Sequence, residues 1–169
     1  MKAYLDNNIV SAIAKDDTAT ESDAIDRLLV ARDSGKVTLV TSELTLDEIK
    51  NYAGSARKHV ERTFRLLEKV PTVRWDELRG MHSYGDARTW LTSPLIQNDP
   101  LFDSLQRLGL TPVNAQHVFV AAGQGCSSFL TCDKEIISRA SAIQQLCDVT
   151  VQRPSQLVDA HAGAQKGQF

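Results

Sequence analysis

No stretch of this 169-residue chain stays apolar for the ~18–20 residues that a membrane-spanning helix needs. Glycine and proline are scarce, at 9 and 5 residues, which excludes collagen-like, linker and low-complexity chains. Cysteine is scarcer still: Cys126, Cys132 and Cys147 are odd in number and form no Cys-x-x-Cys pair. Neither a disulfide framework nor a zinc knuckle is expected, and buried free thiols are the better reading even with His117 near them in sequence. The N-terminus carries one Lys and meets Asp6 early, so the charge-free apolar core of a secretory signal is missing and a cytoplasmic protein is expected. Excess positive charge is also absent. Against 19 Lys and Arg stand 21 Asp and Glu, a net charge of −2. That excludes coating nucleic acid by bulk charge, but not an enzyme that gathers acids around a metal. Gly-x-Gly-x-x-Gly after a strand, Gly-x-x-x-x-Gly-Lys-[Ser/Thr] and Asp-x-Asp at the first strand are all missing, which argues against a nucleotide-handling α/β enzyme.

What remains is an ordinary globular composition, 42% hydrophobic and 24% charged. The length suits one domain over residues 1–160, with 161–169 as a polar tail. Lys2 to Leu5 reads as a strand, and Asn7 or Asn8 can cap a helix after it. A second helix starts near Thr20, carries Ile25, Leu28 and Leu29 at helical spacing and stops at Gly35. Val37 to Thr41 is a compact β-branched strand, after which Ser42 can cap the next helix. A further helix runs to about Lys69, and Thr72 to Trp75 reads as a third strand. Residues 76–111 form a variable, partly helical segment broken at Gly80, Gly85, Pro94 and Pro100. A clear helix spans Val113 to Ala122, and strands follow at Ser128 to Thr131 and Val149 to Val151. Strands alternating with helices predict an α/β layered fold with a mostly parallel sheet.

In such sheets ligands bind beyond the carboxyl ends of strands, where the strand order switches. Asp6 ends the first strand and Asp133 ends the fourth, in Phe129-Leu130-Thr131-Cys132-Asp133. Two carboxylates brought together repel, so such a site is normally held by a divalent cation, and Mg²⁺ or Mn²⁺ favours oxygen ligands. A third acid is expected from the helix after the second strand, where Glu43 and Glu48 are the candidates. Glu43 suits the helix dipole in the first turn, whereas Glu48 lies deeper, beside Ile49. The competing explanation is that acids after strands simply cap helices.

Four segments together resemble the motifs of PIN-domain nucleases. Tyr4-Leu5-Asp6-Asn7-Asn8-Ile9-Val10 resembles the opening strand with Asp-x-Asn, and Ser42 with Glu48 six residues on resembles the second motif. Pro112-Val113-Asn114-Ala115-Gln116-His117 resembles the Asp-Ala-x-His helix start, and Phe129-Leu130-Thr131-Cys132-Asp133 the closing Leu-Thr-x-Asp strand. The segments come in the family's order over residues 4–133. The resemblance implies a three-layer α/β/α sandwich, a Mg²⁺- or Mn²⁺-dependent endoribonuclease, and frequent homodimers. It also implies, as in toxins of the VapC type, a small antitoxin partner. Carried over by position, Asp6, Glu48 and Asp133 match catalytic, metal-binding acids, while Asn8 and Thr131 match polar groups lining the same pocket. Asn114 stands where the family has a third Asp, which removes one negative charge. Two readings stay open: an enzyme with weakened metal affinity, helped by an acid such as Asp99 or Asp103, or a catalytically silent module that binds RNA or protein. His117, one turn after Asn114, reads better as a packed helix residue than as part of the site.

Lys58, Arg62, Arg65 and Lys69 recur at four, three and four residues, giving one basic helix face. Beside an acidic metal pocket such a stripe suits an RNA-cutting enzyme, holding the strand while the acids hold the metal. The plainer explanation is a solvated face paired with Glu61 and Glu68. Trp75, Tyr84 and Trp90 are expected in the core.

Overall fold

A computed structural model describes residues 1–9, 19–45, 70–73 and 99–166. Five strands, β1 (Lys2–Leu5), β2 (Thr38–Ser42), β3 (Thr72–Val73), β4 (Ser128–Leu130) and β5 (Thr150–Gln152), form one sheet in the order β3-β2-β1-β4-β5. Every pairing is parallel: Ala3 sits opposite Leu39 and Ser128, Tyr4 opposite Val40 and Phe129. The chain builds outward from β1 through β2 to β3, then crosses back to lay β4 on the other side of β1. The order therefore switches between β1 and β4.

Alternation along the strands sends side chains to opposite faces, and each face has its own core. Ala3, Leu5, Leu39 and Leu130 pack with Ile25, Leu28, Leu157 and Val158. These come from α1 (Ala19–Asp33) and α6 (Pro154–Lys166). On the opposite face Tyr4, Val40 and Phe129 pack with Phe102, Leu105, Val118, Phe119, Ile136 and Ile143. Those belong to α2 (Pro100–Arg107), α3 (Pro112–Gly123), α4 (Lys134–Ser138) and α5 (Ala140–Cys147). The result is the expected three-layer α/β/α sandwich, a parallel sheet covered on both sides. Burying one such Leu or Ile is worth about 1.5–3 kcal/mol.

Helix α3 runs through the middle of its layer, and Ala115, Gln116, His117, Val118, Phe119, Val120 and Ala121 are all buried. Pro112 is its first residue and Thr111 its cap, so the helix starts one residue earlier than expected. Pro100, expected as a break, instead opens α2, because its missing N–H costs nothing in a first turn. Asp99 accepts hydrogen bonds from the backbone N–H groups of Leu101 (2.8 Å) and Phe102 (3.4 Å), so its carboxylate is a helix cap. Gly35 ends α1 as expected: its φ of +73° permits the left-handed turn in which Lys36 N–H donates to Ala31 O at 2.9 Å. Strand ends shift by one residue from expectation at β2, β4 and β5. The segment expected to leave the fold as a tail at His161 continues α6 to Lys166. Trp75, Tyr84 and Trp90 lie outside the described residues.

The first turns of α1 and α6 are tied by one buried acid. Glu21 accepts from Ser155 N–H at 3.0 Å and from Ser155 Oγ at 2.7 Å, with Arg153 Nη1 at 4.0 Å. Its carboxylate thus satisfies an N-terminal amide of α6 that the helix itself cannot. Replacing Glu21 with Ala should lower unfolding free energy by about 1–3 kcal/mol, measured by urea denaturation, since it strands a half-buried donor.

Candidate functional site

Adjacent parallel strands release their next residues side by side. Asp6 follows β1, and its N–H donates to Leu130 O at 3.0 Å, so the ends of β1 and β4 are joined. Asp6 is buried, at 1% exposure. The buried Thr131 hydroxyl donates to Asp6 Oδ2 at 2.6 Å and accepts from Asp133 N–H at 2.9 Å. One hydroxyl therefore links the two acids that sequence reasoning had singled out on separate strands. Asn8 Nδ2 donates to Asp133 Oδ2 at 3.1 Å from the helical turn after Asp6. The other oxygen, Asp133 Oδ1, accepts from Glu135 N–H at 2.7 Å and caps α4. The capping role weighed against a site role for Asp133 is thus present, on one oxygen.

Asn114 lies in the first turn of α3, where its N–H donates to Thr111 Oγ1 at 3.3 Å. Its side chain meets an acid that sequence reasoning did not single out. Asn114 Nδ2 donates to Glu135 Oε2 at 3.4 Å, while Thr111 N–H donates to Glu135 Oε1 at 2.9 Å. Glu135 in Asp133-Lys134-Glu135 reads as an ordinary first-turn acid favoured by the helix dipole. Its two partners are 24 and 21 residues upstream, so no local pattern could have found them.

His117 is buried away from solvent, at 1% exposure. Its Nδ1 lies 2.8 Å from Tyr4 Oη, which is also 2.6 Å from Ser42 Oγ. Tyr4 in turn stacks on Phe129 with ring centroids 5.3 Å apart. A single phenol thus gathers β1, β2 and α3 beneath the site, and the Ser42 hydroxyl expected to cap a helix is engaged there. Glu48, Lys58, Arg62, Arg65 and Lys69 lie outside the described residues. Glu43 is half-buried in the first helical turn after β2.

The side chains that the ends of β1 and β4 bring to the switch point, Asp6 and Asp133, offer carboxylate oxygens. That chemistry suits a hard cation such as Mg²⁺ or Mn²⁺ and not zinc, which prefers nitrogen and sulfur. Among the described residues no three His, Cys, Asp or Glu side chains group to hold a metal. The thiols are poor ligands as they stand. Burial pushes Cys132 up to about 11, with the Glu21 and Asp6 charges adding to it and Arg153 opposing. Burial raises Cys126 to about 11 as well, against the pull of Lys2. Burial also raises Cys147.

No family model and no curated protein matches the chain. Among solved structures it is similar to a chain in the crystal structure of VapBC2 from Rickettsia felis bound to a DNA fragment from their promoter. The TM-score is 0.57 at 12% identity, covering 90% of this chain and 98% of that one. At that identity the likeness carries the fold. The PIN-like fold expected from the four motifs is the fold observed. No described helix is long and apolar enough to cross a membrane.

Two outcomes follow from this geometry. Thr131→Val removes the hydroxyl between two acids and leaves buried Asp6 without that donor, which should cost about 1–3 kcal/mol in urea denaturation. The thiols give a pH dependence. Their folded values lie above the ordinary 9.0, so the unfolded chain loses protons first as pH rises. Stability contributed by the neutral thiols is whole below pH 9 and declines towards about 11. Substituting Ser at Cys126 and Cys132 should flatten that alkaline decline in a series of thermal melts.

Proposed function

We propose that the chain is a metal-dependent endoribonuclease of the PIN type, working as the toxin of a toxin–antitoxin pair. The observation that carries this reading is the pair of acids at the strand-order switch: the Thr131 hydroxyl donates to the Asp6 carboxylate and accepts from the backbone N–H of Asp133. Asp6, Glu48 and Asp133 would hold Mg²⁺ or Mn²⁺, with Asn114 contributing a neutral carbonyl oxygen. A divalent ion bound there supplies Lewis-acid stabilisation of the charge that develops on a phosphodiester.

The chain's own residues do the positioning. Thr131 donates to Asp6 Oδ2 and Asn8 donates to Asp133 Oδ2, which limits how far each carboxylate can turn. Held in that way, the acids need no rearrangement when substrate arrives. Lys58, Arg62, Arg65 and Lys69 would bind the RNA backbone, contributing affinity without base preference. A small antitoxin is the proposed protein partner, supported by the fold likeness to a chain of VapBC2. A homodimer in the cytoplasm completes the proposal.

Asn114 favours a second reading, because a neutral amide at a position of metal-binding charge weakens cation affinity. On that reading the fold binds RNA or a protein without cutting. Incubation of labelled single-stranded and structured RNAs with Mn²⁺, Mg²⁺ or EDTA separates the two. Cleavage by wild type that stops in EDTA and falls at least about 100-fold in Asp6→Asn supports the nuclease. Cleavage that persists in EDTA, or in Asp6→Asn, contradicts it, and silence in every metal favours the binding module.

A further inference from the structure

Asn114 has the shape of a lost acid, but its surroundings are not those of one. Its Nδ2 faces Glu135 Oε2 at 3.4 Å. An ionised carboxylate can only accept, so the amide must present its N–H₂ end to Glu135. The carbonyl oxygen Oδ1 is thereby turned to the opposite side. Glu135 cannot swing away freely, because Oε1 is held by Thr111 N–H at 2.9 Å and its own N–H is bound to Asp133 Oδ1 at 2.7 Å. The side chain is half-buried, as is Asn114.

We propose that Glu135 is the positioning residue for Asn114. It fixes the amide so that Oδ1 serves as the metal-facing ligand, and it contributes the negative charge that position 114 lacks. The inference rests on the metal-site reading above and specifies how a neutral residue works within it. Asn114 and Glu135 form one unit of charge −1, split over two helices. An Asp at 114 beside an intact Glu135 would set two carboxylates against each other, so simple reversion to the acid is not an improvement. Exchanging both residues restores the match. Gln at 135 offers one oxygen to Thr111 N–H and one N–H₂ to an Asp at 114.

The test has two arms. In EDTA, unfolding free energies of wild type, Asn114→Asp, Glu135→Gln and the double variant form a double-mutant cycle. Asn114→Asp should lower the folding constant about tenfold, and the double variant should recover most of that loss. Additive effects overturn the proposal. In the second arm Mn²⁺ binding is followed by electron paramagnetic resonance of the free ion. Glu135→Ala should weaken wild-type affinity about tenfold or more. Equal affinity in Glu135→Ala overturns the positioning role while leaving the metal site standing. Absence of Mn²⁺ binding in wild type overturns both. Should Glu135→Ala not fold, Glu135→Gln keeps an acceptor for Thr111 N–H and carries the same comparison.

Discussion

The parallel pairing of β1 with β4 is the constraint on which the rest of the site depends. Consecutive strands on one side of the sheet would have led Asp6 and Asp133 to different places. Because the chain returns across β1 to lay β4 beside it, Leu5 and Leu130 sit opposite each other and the next residues leave together. Asp6 N–H then closes on Leu130 O, and Thr131 is delivered within 2.6 Å of the Asp6 carboxylate. A buried acid is costly unless hydrogen-bonded, so this short bond helps to make Asp6 tolerable at 1% exposure.

Beneath that layer, Tyr4 ties the sheet to α3. Its phenol reaches Ser42 and His117, and its ring stacks on Phe129, so β1, β2, β4 and α3 share one anchor. Helix α3 carries Asn114 one turn before His117. The buried histidine therefore sets the azimuth of the helix, and with it the direction in which Asn114 leaves. Core and candidate site are continuous here: His117 is three residues from Asn114 and fully inside.

Sequence made the frame legible where period and punctuation agree. The short run Lys2 to Leu5 and the β-branched run ending at Thr41 read as strands, and Gly35 marked the end of α1. Asp6 and Asp133 could be associated because rules for parallel sheets place strand ends together, whereas Asn8 and Thr131 entered only through the family resemblance. Pro100 was misread as a break because proline both stops helices and starts them, and only the Asp99 cap decides which. Glu135 and the Tyr4 network stayed hidden for a different reason. Their partners lie 21 to 113 residues away, and nothing local in Asp133-Lys134-Glu135 says which way a first-turn acid turns. The neutral Asn114 reads as a deficit when taken alone, and its hydrogen bond to Glu135 shows only once α3 and α4 lie together.

The most direct measurement is a crystal structure of the protein grown with Mn²⁺, with anomalous data collected at the manganese edge. A single strong peak within coordinating distance of both Asp6 and Asp133 carboxylates, and on the Oδ1 side of Asn114, is the expected result. A map with no peak there at saturating Mn²⁺, or with manganese bound elsewhere on the molecule, would contradict the assignment of the switch point as a metal centre.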